Sequence, residues 1–173
     1  MPKLLSYCHL TALFLFFLNA CSDQNAENRY QSEGFSVVPA ESWMFSKDTN
    51  DSLFGEREII FRLGDISFVA FYVQSKPSSF EDFIDFYLKK TQPNILNTDT
   101  QINRLNKKVA GYDVIITNIT SQFAGVPEIT TLYSVKIPSN TKDIYFMSLI
   151  TAEDKVAIEE ELEPVLKSLQ LDL

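Results

Sequence analysis

Hydrophobic and polar positions alternate along most of this chain with a period of two residues, which is the period of a β-strand. Short stretches rich in Gly, Pro, Asn and Asp separate these runs and are typical of turns; the clearest is the Gly64-Asp65 turn of a hairpin. The last four strands are joined by turns too short for a parallel crossover, so they are predicted to be antiparallel neighbours. The predicted strands are Gly34–Pro39, Trp43–Lys47, Arg57–Leu63, Ile66–Gln74, Gln101–Val109, Tyr112–Phe123, Glu128–Ile137 and Asp143–Thr151.

Two segments show the period of an α-helix instead. Ser78 or Ser79 can cap the first of them, and the sequence Thr151-Ala152-Glu153-Asp154 has the pattern of a capping box for the second. The buried stripe of the first helix is predicted to contain Phe80, Phe83, Ile84, Tyr87 and Leu88. That of the second helix is predicted to contain Val156, Ile158, Leu162, Val165, Leu166 and Leu169.

The predicted strand Asp143–Thr151 is apolar on both sides, so both faces of the sheet need a cover. The two helices supply that cover. The sequence therefore predicts an α+β fold in which an antiparallel β-sheet is sandwiched between helices. Pro164 cannot donate a backbone hydrogen bond, so the last helix is expected to kink or break near Leu162.

The first twenty residues differ from the rest of the chain. Lys3 is their only charged residue, Leu10–Leu18 is continuously apolar apart from Thr11, and Ala20 precedes Cys21. The apolar segment falls short of the roughly 20 residues that a membrane-spanning helix needs. We therefore interpret residues 1–20 as a signal peptide that is cleaved before a lipid-modified cysteine. The alternatives are an ordinary secretory signal and an uncleaved membrane helix.

The sequence Leu18-Asn19-Ala20-Cys21 resembles the lipobox of bacterial lipoproteins, in which Leu, a tolerant position, a small residue and Cys follow one another. The resemblance implies cleavage between Ala20 and Cys21, a diacylglyceryl group on the Cys21 sulfur and an acyl chain on the new amino terminus. It also implies that Ser22, where Asp would retain the protein in the inner membrane, directs it to the periplasmic face of the outer membrane. No other cofactor is expected.

Removal of the leader reduces the kinds of catalytic and metal site that the mature chain can form. Cys8 and His9 leave with it, and Cys21 is consumed by lipid, so neither histidine nor a free thiol remains. This excludes disulfides, Cys/His zinc sites and Ser-His-Asp triads. The 14 remaining Lys and Arg residues face 23 Asp and Glu residues, a formal net charge of −9. Such a surface repels nucleic acid and anionic lipid, so neither is an expected partner of the folded domain.

The mature chain divides into two parts by composition. Residues 21–32 begin with the acylated Cys21 and continue with a polar sequence that is typical of a flexible tether. Residues 33–173 have the length of one ordinary domain. The sequence therefore predicts a single folded domain on a short tether.

Several residues of this domain recur in the same order in a known superfamily. They are Phe35, Pro39 and Trp43 near the first two strands, Gly111 before a long strand, and Ser168 at the end of the last helix. With the order of elements, they resemble the PsbP-like domains, which include the PsbP protein of photosystem II, a fungal Ran-GTPase-binding protein and DcrB-like bacterial lipoproteins. The resemblance implies a sheet between helical layers and no particular activity, since members bind unrelated partners. No metal site is carried over, because the mature chain has no histidine.

One acidic loop is a weak candidate for a metal site. Oxygen ligands of the kind that calcium prefers occur at Asp48, Asn50, Asp51, Glu56 and Glu58. An EF-hand requires Gly at the sixth position, where Leu53 stands, so a solvated hairpin loop is the favoured interpretation. Asp48, Asp51 and Glu56 are kept as the candidates, and the domain is expected to need no metal.

Two further clusters have a structural and a functional interpretation. The acidic run at Glu159, Glu160, Glu161 and Glu163 is typical of the solvent face of a helix. The aromatic residues at helical spacing are typical of a core, and the alternative is a ligand or partner surface. The candidates for that surface are Trp43, Phe80, Phe83 and Tyr87.

Three functions follow from these observations. The favoured one is a non-enzymatic, lipid-anchored interaction module of the bacterial envelope, which contacts the membrane through its anchor and an envelope protein through its domain. The first alternative is a small-molecule or lipid carrier, which requires an apolar cavity between sheet and helix. The second is an enzyme that uses carboxylates with a divalent metal.

Overall fold

The computed structural model describes residues 28–32, 34–75, 79–91, 100–123, 126–139 and 142–171. These residues form ten strands and two helices. The strands are β1 (Tyr30–Ser32), β2 (Phe35–Val37), β3 (Met44–Thr49), β4 (Arg57–Leu63), β5 (Ser67–Gln74), β6 (Gln101–Val109), β7 (Tyr112–Phe123), β8 (Val126–Pro138), β9 (Asp143–Thr151) and β10 (Gln170–Leu171). The helices are α1 (Phe80–Thr91) and α2 (Lys155–Ser168).

Seven strands form one antiparallel sheet in the order β3-β4-β5-β9-β8-β7-β6. The predicted strands are confirmed to within two residues at each end, and the last four are antiparallel neighbours as expected. The turn between β4 and β5 contains Gly64, Asp65 and Ile66, because Leu63 pairs with Ser67. It is therefore one residue longer than predicted.

The sheet buries both of its faces, as the two-sided apolar pattern predicts. On β5, Val69, Phe71 and Val73 point into the core beneath α2, whereas Ala70 and Tyr72 point into the core beneath α1. The two helices therefore cover opposite faces of the sheet. This confirms the α+β class and the helical layers. Among the described residues, neither helix is long and apolar enough to cross a bilayer.

A second, small sheet was absent from the sequence prediction. Its strand order is β1-β2-β10, so the first and last described strands both pair with β2. Phe35 and Val37 of β2 are fully buried. Because Tyr30–Ser32 is a strand of this sheet, the predicted tether to residue 32 is too long, and the folded domain begins at least three residues earlier. Short strands such as these carry too few positions to show a period.

Helix α2 starts later than predicted and continues past the position of the expected kink or break. Thr151 ends β9, and Asp154 is the residue before the helix, with no side-chain bond to its first turn. The capping box is therefore wrong, because the Asp154 carboxylate instead accepts hydrogen bonds from Ser67 and Thr151. Val156 lies on the exposed side of α2. The helix continues through Pro164 without the predicted break.

Candidate functional site

The candidate aromatic residues lie in the core. Trp43, Phe83 and Tyr87 are each 5% exposed or less, and Phe80 is half-buried. Phe83 stacks on Tyr145 of the sheet, with ring centroids 4.0 Å apart. Because the sheet covers them, Trp43, Phe83 and Tyr87 are not available as a partner surface.

Two glutamates of the acidic run on α2 bind to the body of the domain. The Glu161 carboxylate accepts a hydrogen bond of 2.9 Å from Trp43 Nε1 and one of 2.7 Å from the Ser42 hydroxyl. The Glu159 carboxylate accepts one of 2.7 Å from the Tyr133 hydroxyl. Buried indole and phenol groups need such acceptors. The sequence suggested only a solvent face for this run. In the structure, two of its glutamates also hold α2 against the rest of the domain.

Replacing Glu161 with alanine is expected to cost about 1 to 3 kcal/mol, because the buried N–H of Trp43 loses its acceptor. Glu160, the preceding and exposed residue of the same helix, provides the matched control. Its replacement by alanine is expected to change the free energy of unfolding by less than about 0.5 kcal/mol. Urea unfolding followed by Trp43 fluorescence measures both values, and equal losses in the two variants would contradict the assigned role of Glu161.

Polar contacts fasten β1 to two distant parts of the domain. The Arg29 guanidinium donates to the backbone oxygen of Ser168 at 2.9 Å and to the Ser36 hydroxyl at 3.1 Å. The Tyr30 ring stacks on Phe45 of β3, and its hydroxyl donates to Asp48. The chain is thus held to the end of α2 and to the β3 edge of the sheet from Arg29 onward.

Asp48 is the centre of the second of these contacts. Its carboxylate accepts two hydrogen bonds from Arg57, of 2.8 and 2.7 Å, besides the one from Tyr30. The Arg57 bonds are the main reason that the pKa of Asp48 lies below its ordinary value. Burial, followed by the bond to Asp48, raises the pKa of Tyr30 to about 12. The cluster is therefore most stable at pH values above the pKa of Asp48 and below the pKa of Tyr30.

Replacing Asp48 with asparagine is expected to destabilise the domain by about 1 to 2 kcal/mol at pH 7, because an amide cannot form the paired, charged bonds to Arg57. Since the folded pKa of Asp48 is lowered, its contribution is present above the unfolded value of about 4 and disappears as the pH falls through the folded value. The variant and the wild type should therefore become equally stable at low pH. Asp51→Asn, at an exposed position just after β3, is the control. Chemical unfolding at several pH values measures the stability of both variants.

The structure does not bring the metal candidates together. Asp48 is paired with Arg57, and Asp51 is exposed. Glu56 accepts a hydrogen bond from the Ser75 hydroxyl, which is the main reason that its pKa lies below the ordinary value. Within the described part of the chain, no three acidic, histidine or cysteine side chains are placed to hold a metal ion.

One edge of the large sheet has no neighbouring strand in the described part of the chain. Every residue from Gln101 to Lys108 on β6 is exposed, and Leu105 is 53% exposed. β6 pairs with β7 on one side, and no described strand pairs with its other side. The sequence predicted this strand but not its place at the edge. Its three basic residues were the available signal, because charged side chains are common on edge strands.

A small cavity of about 170 Å³ lies beside the end of this edge strand, between β6, β7 and α2. Its apolar wall includes Val109, Val114, Ile116 and Leu162, and the hydrogen-bonded pair of Tyr133 and Glu159 also lines it. Burial, followed by the bond to Glu159, raises the pKa of Tyr133, so its hydroxyl stays protonated and acts as a hydrogen-bond donor. Lys107, Lys108, Ala110 and Glu163 complete the lining.

Comparison with known structures supports the fold. The chain is similar to the solution structure of the cyanobacterial PsbP protein CyanoP from Synechocystis sp. PCC 6803, with 13% identity, a TM-score of 0.54, and coverage of 90% of this chain and 99% of that one. At this identity the similarity shows the fold alone. The α+β arrangement is thus the PsbP-like fold. No protein-family model and no curated protein sequence matches the chain.

Two more distant structures are similar over most of this chain. LpqN of Mycobacterium tuberculosis, described as involved in cell envelope biogenesis, is 10% identical with a TM-score of 0.45, over 88% of this chain and 97% of that one. A protein from Bacteroides thetaiotaomicron is 14% identical with a TM-score of 0.48, over 84% of this chain. This chain spans about half of the Bacteroides protein, 48% of its length.

Proposed function

We propose that this protein is a non-enzymatic interaction module that a lipid on Cys21 anchors to the bacterial cell envelope, at the periplasmic face of the outer membrane. The observation that carries the proposal is a filled core combined with an open sheet edge. Both faces of the sheet are packed with large side chains, among them Phe71, Tyr72, Tyr145 and Phe146. Binding is therefore expected on the surface of the domain.

The attachment of β1 supports the anchored role. Tyr30 is the first residue of a strand and lies nine positions after Cys21, so the lipid and the domain are at most about 30 Å apart. Arg29 and Tyr30 join that segment to the folded body through hydrogen bonds. Two or three acyl chains bind a membrane stably, where one chain binds marginally. The domain would thus stay close to the membrane surface.

The carboxylates support the non-enzymatic part of the proposal. Asp48, Glu58 and Glu161 accept hydrogen bonds from Arg57, Lys47 and Trp43, respectively, and each of these contacts holds two parts of the domain together. A catalytic acid or base needs access to a substrate. These carboxylates are occupied by structural partners.

An open groove of about 440 Å³ favours a carrier as the second candidate. It lies between α2 and the chain after β2, and Val38, Pro39, Pro164 and Val165 give it an apolar wall. Its volume is within the range of small-molecule sites. Native mass spectrometry of the protein purified from its own membranes would show a bound ligand of constant mass if this candidate is correct.

Crosslinking in intact envelopes tests the proposed function. A short amine-reactive crosslinker applied to cells with the acylated protein is expected to give a discrete adduct of higher mass after denaturing purification. Cys21→Ser should lose this adduct, because the domain leaves the membrane. Absence of any adduct with the wild type, or the same adduct with both proteins, would contradict an anchored interaction module.

A further inference from the structure

The outer edge of β6 is suited to receive another strand. β6 keeps an unbroken register with β7 over nine residue pairs, from Gln101 opposite Thr120 to Val109 opposite Tyr112. At the opposite edge of the sheet, β3 has a register shift between Phe45 and Lys47, and the Tyr30 ring packs on Phe45. Bulges and covering groups protect an edge from strand addition, whereas a long regular edge is a template for it. Among the described strands of the large sheet, β6 is the edge without a bulge or a covering group, and its basic side chains disfavour only partners that are uncharged or basic.

The two sides of β6 present different chemistry. Leu105 pairs with Ile116, which pairs with Tyr133 in the core beneath α2, so Leu105 lies on the α2 side of the sheet. Arg104 pairs with Thr117, which pairs with Leu132 in the core beneath α1. Because side chains alternate along a strand, Lys108 shares the α1 side with Arg104. An added strand would thus meet Leu105 and Lys107 on the α2 side. On the α1 side it would meet Ile102 and the two cations Arg104 and Lys108.

The cavity beside β6 gives this edge a second feature of peptide-binding sites. It lies on the α2 side, where its apolar wall includes Val109, Ile116 and Leu162. Its volume of about 170 Å³ is close to that of an engineered apolar cavity of about 150 Å³ that binds benzene, so it can hold one small side chain. In strand addition, main-chain hydrogen bonds supply affinity, and pockets for alternate side chains supply specificity. The edge and the cavity together have this arrangement.

The charge of β6 indicates the chemistry of the partner. β6 carries Arg104, Lys107 and Lys108 and no acidic residue, on a chain of net charge −8. Arg104 and Lys108 already contact Asp85 and Asp113, but both carboxylates are more than 60% exposed, and such surface pairs contribute little. Added carboxylates are therefore favourable on the α1 side, whereas Glu159 and Glu163 line the cavity on the α2 side and favour uncharged side chains there. A second copy of this edge would bring three cations toward three, so it is the less favourable occupant.

We propose that β6 binds an extended segment of a partner protein in which acidic and apolar residues alternate, with the carboxylates facing Arg104 and Lys108 and the apolar side chains facing Leu105 and the cavity. The segment adds an eighth strand to the sheet. This inference deepens the proposed interaction role and rests on it.

Two labelled nine-residue peptides test the inference on the full domain. In the first, glutamate alternates with valine; in the second, lysine replaces each glutamate. Fluorescence anisotropy is expected to show binding of the first peptide only. Arg104→Glu should weaken this binding at least about tenfold, because the cation opposite a carboxylate becomes an anion. Arg62→Glu, which makes the same change of charge at an exposed position on β4, should leave binding within about twofold.

Hydrogen exchange with and without the first peptide locates the binding. Added protection is expected in β6, because its outward N–H groups gain acceptors. Absence of binding, equal loss in the Arg104→Glu and Arg62→Glu variants, or protection elsewhere would each overturn the β6 site. If any of these results occurs while envelope crosslinks of the wild type persist, the interaction role stands and only its location is wrong. Loss of the envelope crosslinks with intact peptide binding would instead overturn the role in the cell.

Discussion

Replacing Phe83 with alanine is expected to lower the free energy of unfolding by about 3 to 5 kcal/mol. Phe83 is 3% exposed and stacks on Tyr145, which is fully buried in the middle of the sheet. Its ring also lies 6.1 Å from that of Tyr72. Removal of the ring leaves a cavity between α1 and two central strands that cannot collapse without moving the sheet. Urea or thermal unfolding followed by circular dichroism measures the loss.

Phe86, in the same helix, provides the matched control for this prediction. It is 40% exposed and contacts Phe54 at the rim of the helix layer. Phe86→Ala is expected to cost about 1 kcal/mol or less. A loss below about 1 kcal/mol for Phe83→Ala would contradict the placement of α1 over the sheet, and it would return the aromatic stripe to the role of a partner surface.

Replacing Cys21 with serine is expected to abolish incorporation of labelled palmitate and to remove the mature protein from the membrane fraction. The reason is chemical, since in the proposed lipidation the Cys21 thiol receives the diacylglyceryl group, and a hydroxyl does not replace it. Cys8→Ser, in the proposed leader, is the matched control and should keep both the label and the membrane association. A cleaved Cys21→Ser protein that still sediments with membranes would contradict the lipid anchor.

The elements that sequence patterns predicted well are long ones that lie between clear turn signals. Strands β6 and β9 have nine residues each, and the turn residues beside them predicted their extent to the residue. β1 and β10 have three and two residues and no visible period. They form only because residues far apart in the sequence meet on β2, a long-range pairing that no local pattern contains. The tether was therefore predicted to extend too far into the domain.

The contacts of individual side chains were harder to predict for a related reason. A run of glutamates on a helix is usually a solvent face, and nothing in the sequence distinguishes Glu161 from Glu160. The difference arises because one of them lies opposite Trp43 in the folded chain. In the same way, Asp48 was a metal candidate by residue type, and the pairing of β3 with β4 places Arg57 beside it instead. Strand order also decides that β6 is an edge.

A photo-crosslinking amino acid placed at Asn106, an exposed position on β6, tests the central claim most directly in cells of the source organism. The same amino acid placed at Arg62, exposed on β4, is the control because four strands separate β4 from β6. With the protein acylated at Cys21, we predict one discrete adduct from position 106 and none from position 62. No adduct at position 106, or the same adduct from both positions, would contradict an anchored module that binds its partner through β6.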